Sequence, residues 1–224
     1  MHPPSLTDLH ICFDRTLPGQ QFTPLYQPQS DSNTRAAVLA NKLWPAGRTL
    51  RVAFLDGDGV VQRKVAQYAQ EWSQHANIRF VFDNDRDAEI RISFQQAGSW
   101  SLIGNDARDR RVAPDQPTMN YGWLTRATPN DEVRRVVLHE FGHALGLVHE
   151  HQNPAVAIPW NKEAVYQFYQ GPPNFWSKEQ VDINLFQVYD QQFTKYSRFD
   201  RQSIMLYPIP AELTLEGFSV GWNS

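Results

Sequence analysis

The chain predicts an α+β fold, a mixed sheet packed against one buried helix, and three observations lead there. Segments with period-2 alternation of polar and apolar residues recur between residues 49 and 124, and one segment of helical period sits among them. A second helical segment, residues 128–145, is apolar nearly all round from Val136 onward, which marks an interior helix and not a surface one. The 224 residues, 41% of them hydrophobic, suffice for one substantial core or for two lobes.

Taken in order, residues 1–45 are rich in Pro, Gln, Ser and Thr and read as an extended lead-in or a pro-segment, interrupted by an apolar patch at residues 11–13. Residues 49–55 (TLRVAFL) predict a strand and residues 56–59 (DGDG) a turn. In residues 61–75, Val65, Tyr68, Ala69 and Trp72 fall at helical spacing, as for a helix lying on a sheet. Residues 78–82 and 89–94 alternate as strands around an acidic turn, and two further strands, 100–103 and 118–124, flank a charged loop at 105–115. The acidic clusters at 56–58 and 83–87 resemble calcium sites only loosely and read as solvated turns. Thr128 marks the start of the interior helix, with Pro129 at its first position, Asp131 in capping-box position and Glu132 favoured by the helix dipole. That helix is expected to end at Leu145.

Composition narrows the partners. A net charge of -3, with no polybasic run, gives no footprint for nucleic acid or anionic lipid. No apolar stretch approaches the roughly 20 residues that span a bilayer, and the first ten residues lack a signal-peptide pattern. We expect a monomer with neither a nucleic-acid nor a membrane partner. Cys12 is the only cysteine, so no internal disulfide forms.

Polar residues inside an interior helix require a reason, and here they are His139, Glu140 and His143. Positions i and i+4 share a helix face, so both imidazoles reach one ion while Glu140 stands beside it as a base. Gly146 falls where the helix must stop, since glycine takes the left-handed conformation that turns a chain away. The turn brings His149 back toward the ion. Three histidines leave one zinc position open, the arrangement of catalytic sites, whereas structural sites are closed by four protein ligands. The expected cofactor is one catalytic Zn2+.

The segment HEFGHALGLVHEH resembles the metzincin pattern HExxHxxGxxH, and Glu150, following the third histidine, is the astacin choice at that position. Residues 203–207 (SIMLY) are similar to the astacin Met-turn, and residues 98–104 (GSWSLIG) to the upper rim of its cleft. The resemblance implies a metzincin-type catalytic domain over residues 46–224: a mixed twisted sheet plus active-site helix, then a smaller lobe, 146–224, that carries the Met-turn and stops before a C-terminal helix. It implies a zinc-dependent endopeptidase acting on protein or peptide substrates, with Glu140 and Tyr207 catalytic and His139, His143 and His149 on the metal. Met205 would form an apolar floor without ligating. Tyr207 would ligate zinc at rest and swing away to hydrogen-bond the developing oxyanion. Substrate would pair with residues 101–103 by strand addition. Glu150 would meet the mature N-terminus; read alone, it is either a solvated turn carboxylate or a buried group that holds the residues around the metal in place. The family's bracing cysteines are missing, with Ser99 where one would stand. Secretion is implied by resemblance, while the chain itself leaves the compartment open. A narrow-specificity effector protease and a zinc-binding pseudoprotease are the alternatives. Two readings of Cys12 stand side by side: a small buried apolar residue, or a thiolate on the open zinc position, as in the cysteine switches of related metzincins.

Overall fold

The computed structural model describes residues 10–13, 15, 17, 37–85, 87–189, 194–196 and 198–223, so most of the predicted lead-in lies outside the described residues. Two compact units are present. Residues 12, 13, 15, 17 and 41–147 make a sheet unit, and residues 10, 11, 37–40 and 148–223 make a loop-rich unit.

The loop-rich unit holds the first strand, β1 (Val38–Leu39). The next five belong to the sheet unit: β2 (Thr49–Phe54), β3 (Arg79–Phe82), β4 (Ile90–Ser93), β5 (Ser99–Ser101) and β6 (Met119–Tyr121). They form one mixed sheet in the order β3-β2-β4-β6-β5. β3, β2, β4 and β6 run parallel to one another, and β5, at the end of the order, is antiparallel to β6 and forms an edge. Alternation decides what each face carries. Leu50, Val52, Ile90, Ile92, Met119 and Tyr121 are buried in one cluster with Val61 and Val65 of α1 (Gly59–Ala69) and Val133, Val137 and Phe141 of α2 (Asn130–Leu145). Phe80 meets Phe141 edge to face at 5.0 Å. This sheet face, more than helix propensity, holds α2 in place. Trp72 and Trp44 also donate their indole N–H groups to Leu138 O and Ala144 O of α2, at 3.0 and 2.8 Å.

Element boundaries depart from the sequence expectation in two informative ways. The predicted helix 61–75 ends as α-helix at Ala69 and continues as a 3-10 turn, Gln70–Gln74. At α2, Thr128 is not the cap: its hydroxyl accepts the Thr125 N–H at 2.9 Å, and Pro129 takes the cap position with no side-chain hydrogen bond. The hydroxyl is used by its own turn, so the helix begins one residue later, at Asn130. The acidic turns serve the fold directly. Asp56 accepts from Ser93 Oγ and the Phe94 N–H at 2.6 and 2.7 Å, and Asp58 caps α1 through the Val60 N–H at 2.8 Å while pairing with Arg126.

In the loop-rich unit, β1 pairs antiparallel with β7 (Thr194–Lys195). α3 (Lys162–Gln170) starts on the Asn161 side chain, and α4 (Lys178–Val181) on a capping box made by Ser177 and Gln180. Leu206, Ile209 and Val220 form its apolar cluster, with Ile158, Trp160, Phe199 and Phe218 packed against them.

Candidate metal centre and active site

The end of α2 shapes the centre. Gly146 has φ 104°, and its N–H donates to His143 O at 2.8 Å while the Leu147 N–H donates to Gly142 O at 3.0 Å. This pair of bonds is a Schellman motif, which satisfies the last carbonyls and reverses the chain. Reversal has a chemical consequence: Leu147 O comes back to 3.0 Å from His143 Nδ1. A carbonyl only accepts, so Nδ1 carries the proton and Nε2 presents its lone pair. A side chain at position 146 would face a disfavoured positive φ and a Cβ 3.0 Å from the Leu43 side chain. We predict that Gly146→Ala destabilises the protein by roughly 1–3 kcal/mol, measured by urea unfolding, and loosens zinc binding with it. An unchanged midpoint would show that the turn does not depend on glycine.

His139, Glu140 and His143 are all buried on α2. Three donor atoms of the sheet unit converge there: His139 Nε2 and His143 Nε2 are 3.2 Å apart, and Cys12 Sγ lies 3.0 Å from the first and 3.5 Å from the second. Two nitrogens on a tetrahedral zinc stand about 3.3 Å apart, and a nitrogen and a thiolate sulfur about 3.6 Å, so these spacings suit that ion. Two imidazoles and a thiolate are also the donor chemistry zinc takes up. The residues present therefore fit a zinc ion.

Within the loop-rich unit, His149 is fully buried, and burial together with neighbouring His151 pushes its pKa well below the ordinary histidine value. The neutral ring is the form that ligates metal. Tyr207 packs on it with ring centroids 4.3 Å apart and its hydroxyl 3.5 Å from His149 Nδ1. His151 stacks on both, at 5.2 Å from His149 and 4.7 Å from Tyr207, and its Nε2 donates to Asn184 O at 2.7 Å. Met205 is buried, and its carbonyl accepts the Glu150 N–H at 2.9 Å. That bond ties the turn at residues 203–206, closed by Leu206 N–H to Ser203 O at 3.0 Å, to the residue following His149.

Glu150 is not a solvated turn carboxylate. It is fully buried and accepts from Asn153 Nδ2 at 2.8 Å and from the Asp200 N–H at 3.2 Å, while burial raises its pKa. Of the sequence-predicted residues, the structure brings together Cys12, His139 and His143 in one unit and His149, Met205 and Tyr207 in the other. Sequence reasoning missed His151. Its place two residues after His149 in the sequence is the signal that could have found it.

The sequence model of the matrixin family matches residues 56–170. Tolloid-like protein 1 of Mus musculus is 25% identical over 134 residues, which is 58% of this chain and 12% of that protein. Bone morphogenetic protein 1 of Xenopus laevis is 26% identical over 113 residues, 50% of this chain and 14% of that protein. The chain thus spans a small part of the length of these relatives. Among solved structures, myroilysin superposes with a TM-score of 0.81 at 48% identity, covering 84% of this chain and 91% of the other. High choriolytic enzyme 1, a hatching-enzyme zinc-protease from the medaka Oryzias latipes, is similar in fold, with a TM-score of 0.50 at 16% identity over 88% of this chain and 84% of that one.

Proposed function

Because this chain belongs to the matrixin family of metzincin zinc metallopeptidases, we propose that it cuts within protein chains using Glu140 as general base and Tyr207 as oxyanion donor. His139, His143 and His149 hold the metal in this reading, and Cys12 keeps the enzyme latent. One observation carries it: the convergence of His139 Nε2, His143 Nε2 and Cys12 Sγ, with the His143 tautomer fixed by Leu147 O. When bound, zinc supplies a Lewis acid that polarises the scissile carbonyl and makes water acidic. Glu140 accepts the proton of the attacking water and returns it to the leaving amine. Tyr207 donates to the oxygen on which charge develops. An extended peptide pairs along the edge of β5, so the backbone is recognised before any side chain is. Hydrolysis of casein that stops with chelator and returns with added zinc is the expected result. Hydrolysis indifferent to chelation would overturn the reading.

Latency follows from the same geometry. Three histidines leave one position, and a thiolate placed against two of them fills it. Cys12→Ala in the full chain should raise peptide hydrolysis at least about tenfold with about one zinc per chain retained. Equal rates in parent and variant would leave Cys12 with a packing role only.

A further inference from the structure

Cys12 is the first of several residues that lie along β5. The Phe13 N–H donates to Ser99 O at 3.3 Å, so the backbone that leaves the histidines is bonded at Phe13 to the edge of β5. Side chains then alternate between faces. Ser99 and Ser101 stand opposite Tyr121 and Met119, on the face packed against α2, whereas Trp100 stands opposite Asn120 on the other face. Cys12 points to the α2 histidines, and Phe13 and Arg15 go to the Trp100 face. The Phe13 ring is 6.5 Å from Trp100 and lies over Gly98, where a Cβ would stand 2.6 Å from it and φ is +72°. The Arg15 guanidinium sits 3.8 Å over the centre of the Trp100 ring and donates to Gln96 Oε1 at 2.9 Å.

We infer that Gln96 and the Trp100 ring form a binding site for a basic side chain of the peptide laid along β5, with Gly98 leaving room for an aromatic residue two positions nearer the metal. The inference rests on the proposed peptidase reading, in which that edge receives substrate. Any extended peptide paired there sends alternate side chains to this face, and the surfaces it meets are those that Phe13 and Arg15 now cover. Arginine is preferred to lysine, because a planar guanidinium stacks on an indole while still reaching the amide oxygen in its own plane. The ligand class is a peptide with an aromatic residue and, two residues away, an arginine.

The test uses the full zinc-loaded chain carrying Phe13→Ala and Arg15→Gln, so that the chain's own side chains no longer fill the two positions, with Cys12→Ala to clear the histidines and Glu140→Gln to prevent turnover. Fluorescence anisotropy compares a labelled Phe-Asp-Arg peptide with its Phe-Asp-Gln counterpart. The arginine peptide should bind about tenfold tighter, Trp100→Leu should bring the ratio to about one, and Gln96→Glu should widen it by adding a charged acceptor. Equal binding of the two peptides overturns the inference, as does a ratio that survives Trp100→Leu. Should Trp100→Leu fail to fold, an unchanged ratio in Gln96→Glu overturns it as well. With Glu140 restored, absence of any hydrolysis would count against the peptidase reading, while the binding ratio still decides the subsite.

Discussion

Glu140→Gln is expected to lower kcat on the order of 1,000-fold while leaving zinc content and fold intact. The magnitude is that of a positioned general base, which contributes about 100- to 10,000-fold. Glu140 lies between His139 and His143, the two histidines proposed as metal ligands on α2, and is fully buried, so a substitution that changed its shape would disturb both neighbours. Glutamine avoids this: the amide is close in size to the carboxylate and loses only the ability to accept a proton at neutral pH. The prediction therefore separates base from scaffold. Elemental analysis should return about one zinc per chain in parent and variant, and unfolding midpoints should stay close. A variant turning over near the parental rate would remove Glu140 from the mechanism. A variant that lost its zinc would show a structural part in holding the ligands, and its kinetics would say nothing about the base.

Why some of this was legible in the sequence and some was not follows from the range of the forces involved. α2 announced itself because its apolar residues and its glycine stop act within a few residues of one another, and the structure ends the helix at Leu145 as the pattern requires. The sheet was legible for the same reason, since alternation is local and each strand predicted between residues 49 and 124 is present, four of them shorter than the pattern and β5 beginning one residue earlier, at Ser99. Cys12 was not. Its partner His139 is 127 residues away, and no periodicity links a lone cysteine to a distant helix. The start of α2 was misplaced by one residue because Thr128 had a nearer use for its hydroxyl. The loop-rich unit offered least, because its turns are closed by backbone and side-chain bonds such as Glu150 N–H to Met205 O, which leave no hydrophobic period to read. Glu150 itself shows the limit, for a carboxylate beside a turn reads equally as solvated or buried until its bonds to Asn153 Nδ2 and the Asp200 N–H decide it.

Tyr207→Phe should lower kcat about 100- to 1,000-fold with KM little changed and zinc retained, the effect of deleting one oxyanion donor. Its packing makes the experiment clean. The ring packs against two imidazoles, with centroids 4.3 Å from His149 and 4.7 Å from His151, and the side chain is buried. Phenylalanine keeps those ring contacts and removes only the hydroxyl that lies 3.5 Å from His149 Nδ1. A structural role for the hydroxyl would show as a lower unfolding midpoint with proportionate loss of active protein, and kcat per folded molecule would hold. A role in the transition state lowers kcat and kcat/KM together, because an interaction made only as charge develops does not contribute to substrate binding. Steady-state kinetics on a quenched peptide, with the folded fraction measured on the same sample, distinguishes the two. A parental kcat in the variant would make Tyr207 a packing residue for His149 and His151 and leave oxyanion stabilisation to the metal alone.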